Sequence, residues 1–308
     1  MILFICYLSI IYLLFIDTER DCFMFKKALV FIAAIGLAGC FGGSKEFSID
    51  NPTDKPLSVS IDNKEYTVPA GEMQNVTLSA GPHSLTLSTG ETVKFSVLCA
   101  YGNSERSGII NPTRTRYVYV VQKYLADGTQ PFTENGEVHV LKINGEEFTG
   151  PFTDLGNELF IDSHIKNWSF GPTESLPETV YASSKDTYKT KLFRVNDFIH
   201  YYNTDFSPSE DYSRRTHIRE SAYKKPELSY NATEPELQQN LSDALKIYHQ
   251  FIHADSASKQ KDLMEQFEQQ ERAKWKNPKT KSAENARYYE VMSNINSVFW
   301  SSIVELSD

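Results

Sequence analysis

His249-Gln250-Phe251-Ile252-His253 sets two imidazoles four residues apart, on one face of a helix, a spacing that can chelate zinc. Gln250 stands where a protease of the His-Glu-x-x-His pattern carries its glutamate base, so the pair is a weak metal candidate. Asp255 supplies a third ligand only with distortion, and the plainer account is two solvent-facing helix residues. Asp154, Glu158 and Asp162 follow Phe152 at short spacing. They offer carboxylates for general acid–base work, which needs a closeness in space that spacing does not give. Asp50, Asp54 and Asp62 fall near turns, and turn-forming aspartates explain them better than a calcium loop. Cys99, in Val97-Leu98-Cys99-Ala100, reads as a buried small hydrophobe, with no basic neighbour to make its thiol reactive. There is no Gly-x-Ser-x-Gly elbow, no phosphate-cradling glycine loop and no Cys-x-x-Cys. The sequence therefore assigns no catalytic residue and no cofactor, and leans away from an enzyme.

Short strands must position these residues in the first part of the chain. Phe47-Ser-Ile49, Leu57-Ser-Val59-Ser-Ile61, Tyr66-Thr-Val68, Val76-Thr-Leu78, Leu85-Thr-Leu87 and Val93-Lys-Phe95-Ser-Val97 alternate apolar and polar residues between Asn, Asp, Gly and Pro turns. Strict period-2 alternation puts one face of each strand in a core and the other in water. Residues 46–100 are thus expected to form an immunoglobulin-like antiparallel β-sandwich.

Residues 101–205 read as a second β-rich region, with a strand at Tyr117–Tyr124 and a hairpin at Asn144-Gly145, where both residues tolerate positive φ. Asn51-Pro52-Thr53 recurs as Asn111-Pro112-Thr113, and Ile61–Tyr66 is echoed by Ile143–Phe148. Either a duplicated module or shared turn chemistry accounts for these echoes. Tyr117, Tyr119, Tyr124, Tyr201, Tyr202, Tyr288, Tyr289 and Trp168 form either an exposed patch for protein or glycan recognition or core packing.

Residues 206–232 are a polar linker with Arg214, Arg215, Arg219, Lys224 and Lys225, a solvated face or a seat for acidic headgroups. The period changes at Thr233-Glu234-Pro235-Glu236, a capping box with proline in the first turn. Leu237, Leu241, Leu245, Tyr248, Phe251 and Ile252 then mark one helical face. A second helix is expected from about Ser258 to Trp275 and a third from about Ser282, so residues 233–308 read as a helical hairpin or three-helix segment.

The 308 residues carry 40 acidic and 31 basic side chains, a formal charge of −9, which disfavours nucleic acid as a partner. Seventeen Tyr and 19 Phe exclude a disordered stalk.

Met24-Phe25-Lys26-Lys27 is a short basic start, followed by an uncharged run from Ala28 to Leu37, then Ala38, Gly39 and Cys40. That order is a secretory signal pattern, too short to span a bilayer comfortably. Leu37-Ala38-Gly39-Cys40 resembles the lipobox of bacterial lipoproteins. The resemblance implies cleavage between Gly39 and Cys40, a diacylglyceryl group on the Cys40 sulfur and acylation of the new amine. The bilayer is then the partner through Cys40, and three acyl chains hold where one is marginal. The family's usual inner-membrane aspartate is absent at Phe41, which favours the outer membrane.

A second apolar run, Ile2 to Ile16, precedes Met24, and the sequence favours Met24 as the true start. Removing residues 1–39 leaves 269, with 40–45 as a lipidated tether and Cys99 as the one remaining unmodified cysteine, so no internal disulfide forms.

The expectation is an α+β protein of the bacterial cell envelope, lipid-anchored and facing the periplasm or the cell surface. Its leading function is a non-enzymatic binding or assembly module with an envelope protein or glycan partner. The alternatives are an envelope-polymer hydrolase or metal-dependent enzyme, built on His249 and His253 or on the acidic loop, and a surface adhesin.

Overall fold

Alternate side chains of the first strand turn inward: Lys45, Phe47 and Ile49 are buried, whereas Glu46 faces out. The same period recurs at Val59 and Ile61, Tyr66 and Val68, and Val76 and Leu78. The structure is a computed structural model that describes residues 43–101, 107–124, 138–164, 166–177, 187–206, 219–274 and 283–306. These residues belong to one unit, residues 42–308. The expected signal segment and residues 207–218 of the linker lie outside them.

The strands are β1 (Ser44–Asp50), β2 (Leu57–Ile61), β3 (Lys64–Val68), β4 (Met73–Ser79), β5 (Gly81–Thr86), β6 (Thr92–Val97), β7 (Gly108–Ile110) and β8 (Tyr117–Tyr124). They continue as β9 (His139–Ile143), β10 (Glu146–Gly150), β11 (Phe152–Asp154), β12 (Phe160–Asp162) and β13 (Thr187–Arg194). Helix α1 (Val195–Thr204) and β14 (Arg219–Glu220) follow, then α2 (Pro235–Ile252), α3 (Ala257–Lys274), α4 (Ala283–Phe299) and β15 (Ile303–Glu305). The fold is mixed α+β, with strands in several largely antiparallel sheets and four helices among the described residues.

Two sheets, ordered β12-β7-β1-β4 and β15-β6-β5-β2-β3, share one core. Phe47, Ile49, Val76, Leu78 and Ile110 from the first meet Val59, Ile61, Leu85, Phe95, Val97 and Ile303 from the second. Burying each of the larger side chains contributes roughly 1.5–3 kcal/mol. Pairing crosses the boundary expected at residue 100: β7 joins β1 in parallel, β12 joins β7, and β15 joins β6. Gly108 makes the crossing feasible, since a Cβ there would lie 2.5 Å from the Ile161 carbonyl oxygen.

In the second β region β8 is flanked by β11 and β13, and β9 by β10 and β14. The β2–β3 and β9–β10 hairpins turn through Asp62-Asn63 and Asn144-Gly145, all four at positive φ, as a two-residue turn between right-twisted strands requires. Helix α1 was not expected. Its Phe198, Tyr201 and Tyr202, spaced three and four apart, pack against Phe148, Phe152 and Phe193. β-prone aromatics obscured the helical period there.

Helices α2, α3 and α4 share a core of Leu241, Phe251, Phe267, Ile295 and Phe299, joined by Leu98 from the end of β6. The helix starts one residue later than the expected capping box places it. Glu234 is the N-cap and makes no side-chain cap bond, and Pro235 takes the first helical position, where its missing N–H costs nothing. No described helix is long and apolar enough to cross a membrane.

Candidate functional site

A buried polar network joins the first strand to the last. β1 carries Lys45, β12 carries Asp162 with His164 just beyond, and Ser302 leads into β15. Lys45 Nζ donates to Ser302 Oγ at 3.0 Å, and Ser302 Oγ lies 2.8 Å from His164 Nδ1. An ammonium only donates, so Ser302 Oγ accepts from Lys45, and the direction of its bond to Nδ1 follows the His164 tautomer. Asp162 accepts from the amides of His164 (2.7 Å), Ser302 (2.5 Å) and Ile303 (3.2 Å).

Serine, histidine, aspartate and lysine together have the composition of an acyl-transfer centre, but the geometry is different. A triad holds serine and aspartate on opposite ring nitrogens. Here Asp162 lies 3.8 Å from Nδ1, the nitrogen that already faces Ser302. Ser302 is fully buried, beyond reach of a substrate carbonyl. Both Asp162 oxygens are occupied by backbone amides. Burial lowers the pKa of Lys45, against the nearby Cys99 and Asp162. It also lowers that of His164, helped by Lys45, and raises that of Asp162 against its amide bonds. The network is suited to pinning β15 against β1.

Cys99 borders this network and is half-buried, not fully buried as expected. Lys45 is the basic neighbour that local sequence does not reveal. Its charge pulls the thiol pKa down, yet burial outweighs it and the net shift is upward, which disfavours the thiolate.

The expected carboxylate trio does not assemble as an acid–base pair. Asp154 is held by Arg116 through Nε and Nη2, at 2.9 and 2.8 Å, and accepts from the amides of Gly156 and Tyr223. Burial opposes its ionisation, but these partners hold its pKa below the usual carboxylate range. Glu158 bonds Tyr223, whose phenol is pushed up to about 12 by burial and by that carboxylate. Asp162 belongs to the network above.

Asp50 and Asp62 are also engaged. Arg194 donates to Asp50 through Nε (3.1 Å) and Nη2 (2.5 Å), and the Tyr117 hydroxyl bonds the same carboxylate. Asp62 meets His83 at 2.5 Å and the Ser84 amide at 2.9 Å. His249 and His253 lie exposed at the end of α2. Among the described residues no group of three His, Cys, Asp or Glu side chains could hold a metal ion. The proposed aromatic patch disperses: Tyr117, Tyr124, Tyr288 and Trp168 are buried, and of the eight only Tyr289 is prominently exposed. Gly39, Cys40, Arg214 and Arg215 lie outside the described residues.

The Asn-Pro-Thr echo has a structural meaning. Asn51 and Asn111 are fully buried, and each side chain ties its loop to a neighbouring segment. Asn51 Nδ2 donates to the carbonyls of Lys55, Val68 and Pro69, and Asn111 Nδ2 to those of Thr115 and Glu158. The asparagines lie 60 positions apart and the hairpins 82, so no single duplication offset relates both.

The open feature is a cleft of about 480 Å³ on the outer face of the β1–β4 pair. Glu46, Ser48 and Asn75 line its floor, with Ser48 Oγ donating to Asn75 Oδ1 and Asn75 Nδ2 to Glu46 Oε1, each at 2.9 Å. Trp168, Gly171, Thr173 and Glu174 form its wall. Lys191 holds that wall: its buried ammonium donates to the carbonyls of Gly171, Pro172 (3.0 Å) and Glu174. Burial lowers the Lys191 pKa to about 8. Among the described residues of its lining the charged groups are Glu46 and Glu174 and none is Lys or Arg, so it suits neutral or cationic ligands rich in hydrogen-bonding groups. A second cavity, of about 600 Å³ and largely apolar, lies between α3 and α4 beside Phe267, Tyr289 and Met292.

Compared with protein-family models and with curated proteins, the chain matches none. The functional reading therefore rests on its own residues.

Proposed function

We propose that this chain is a bacterial envelope lipoprotein, anchored through acylated Cys40 and acting as a non-enzymatic binding or assembly module. The observation that carries it is the order of residues 24–40: Phe25-Lys26-Lys27, an uncharged run, Ala38-Gly39 and a cysteine. On this reading the first two sheets are an immunoglobulin-like sandwich, the second β region packs beside it, and α2–α4 form a C-terminal helical segment. The absence of the aspartate at Phe41 favours the outer membrane.

The ligand seat in this proposal is the Glu46–Ser48–Asn75 cleft, and its chemistry favours a neutral, hydroxyl-rich envelope glycan or a polar protein segment. Mass measurement of the amino-terminal peptide of native protein tests the anchoring. A peptide that begins at Cys40 and carries acyl chains is expected. An unmodified thiol with the upstream residues still attached overturns the reading. Photocrosslinking in cells from Asn75 tests the binding role, with capture expected there and lost on Glu46→Lys.

A further inference from the structure

We propose that the end of the molecule formed by Gly43, the α2–α3 turn and the Tyr101–Trp300 pair lies directly against the phospholipid headgroups. The inference rests on acylation of Cys40 and adds an orientation to it.

Gly43 is held in the fold. Its carbonyl accepts from the Ala80 amide at 2.9 Å, and Ser44 is already paired with Ser79. A Cβ on Gly43 would lie 3.0 Å from Ala257 Cβ and 3.2 Å from Cys99 Cβ, so this residue is wedged between the first turn of α3 and the end of β6. From Cys40 to Gly43 there are three residue steps, which span at most about 11 Å when fully extended. The headgroup layer takes up about 5–8 Å on each side of a bilayer. A sulfur joined to diacylglyceryl through a thioether therefore leaves the folded body only a few ångströms of slack, and the surface around Gly43 has to touch the membrane.

The chemistry of that surface suits the contact. Tyr101 follows Cys99 by two residues, a reach of at most about 7 Å. Its side chain is 45 % exposed, and its ring centroid is 3.9 Å from that of Trp300. Tyrosine and tryptophan rings, apolar with one polar handle, favour the water–hydrocarbon boundary. The α2–α3 turn packs at the same end, with the Asp255 Cα 3.0 Å from where a Gly81 Cβ would stand. Its charges cancel locally, because Lys259 Nζ donates to Asp255 Oδ1 at 2.8 Å. Contact is thus set by the short tether and the aromatic pair, with little demand for anionic lipid. The Ser88–Glu91 turn, one β5 length away at about 20 Å, points to the aqueous side.

The test uses the full acylated protein in neutral phosphatidylcholine vesicles that carry a headgroup nitroxide quencher. A fluorophore is attached at Tyr101→Cys or at Ser88→Cys, each in a Cys99→Ala background. Severalfold stronger quenching at position 101 than at position 88 is expected. Equal quenching in protein that is acylated and vesicle-bound overturns the orientation and leaves the anchoring intact. Protein that mass measurement shows to be unacylated, and that stays in solution, overturns the anchoring and the orientation together.

Discussion

Asp50 and Lys191 show how much of this molecule hangs on single buried charges. The Asp50 side chain is fully buried and its partner Arg194 is nearly so, and the pair ties the end of β1 to the end of β13. Asp50→Asn leaves a guanidinium without its counter-charge, a change that costs about 3–5 kcal/mol when a buried pair is broken from one side. Urea unfolding is expected to show a loss of that size, whereas Asp255→Asn, at an exposed pair, changes nothing measurable. Lys191 makes a prediction in pH. Its folded pKa, about 8, lies below the ordinary 10.5. Between these values the unfolded chain holds a proton that the folded chain has released, so stability rises with pH across that window. The stability of wild type relative to Lys191→Met is expected to climb from pH 8 to 10.5, by at most about 3 kcal/mol, when chemical denaturation is followed at each pH. Neither side chain announces this role in sequence. Asp50 sits beside an Asn-Pro turn and reads as a turn residue, and Arg194 lies 144 positions away. Period and turn chemistry are local signals, and an ion pair closed over that separation leaves no local trace.

At the scale of elements, legibility follows the same rule. The alternating strands β1–β6 and the heavily periodic α2 are visible because each carries its own pattern of burial. Three-residue strands such as β7, β12 and β15 are too short to show a period and exist because a neighbouring edge pairs with them. The cleft was illegible for a related reason. Glu46, Ser48 and Asn75 are the outward half of ordinary strands, and the wall over them comes from a loop about a hundred residues later. β15 gives the sharpest test. Ile303, Val304 and Glu305 pair with Val97, Ser96 and Phe95, and Ser302 supplies the hydroxyl for Lys45 and an amide for Asp162. Truncation after Trp300 strips these partners from a buried ammonium and a buried carboxylate, and also bares the edge of β6. Each orphaned buried polar group costs about 1–3 kcal/mol, more if charged, so a loss of several kcal/mol is expected. Thermal unfolding of the truncated chain would show it. A midpoint equal to that of the full chain would mean that β15 is an ornament.

The whole molecule is a chain whose last strand closes its first sheets, and this bears on how it unfolds. The sequence separates β residues from helices at residue 233, which invites a picture of two independent bodies. The packing argues otherwise at three points. Leu98, one residue past β6, belongs to the helical core. Gln260 of α3 accepts from the Cys99 amide at 2.6 Å and donates to the Val97 and Ala254 carbonyls at 2.9 and 3.2 Å. In β15, Ile303 lies in the core of the first two sheets, while Val304 and the adjacent Leu306 pack against the helices. Melting the helices alone would uncover Leu98, strand Gln260 and loosen β15, so the helical and β parts share the free energy of those contacts. Cooperative unfolding of the two is the consequence. Helical circular dichroism at 222 nm and the near-ultraviolet signal of the tyrosines and tryptophans are therefore expected to trace one coincident transition. Gln260→Ala separates the alternatives further. If the parts are coupled, that single substitution lowers both transitions together, and if they are independent, it moves neither or splits them. Two resolved transitions in the unsubstituted protein would show that the contacts at Leu98, Gln260 and β15 are too weak to join the helices to the sheets.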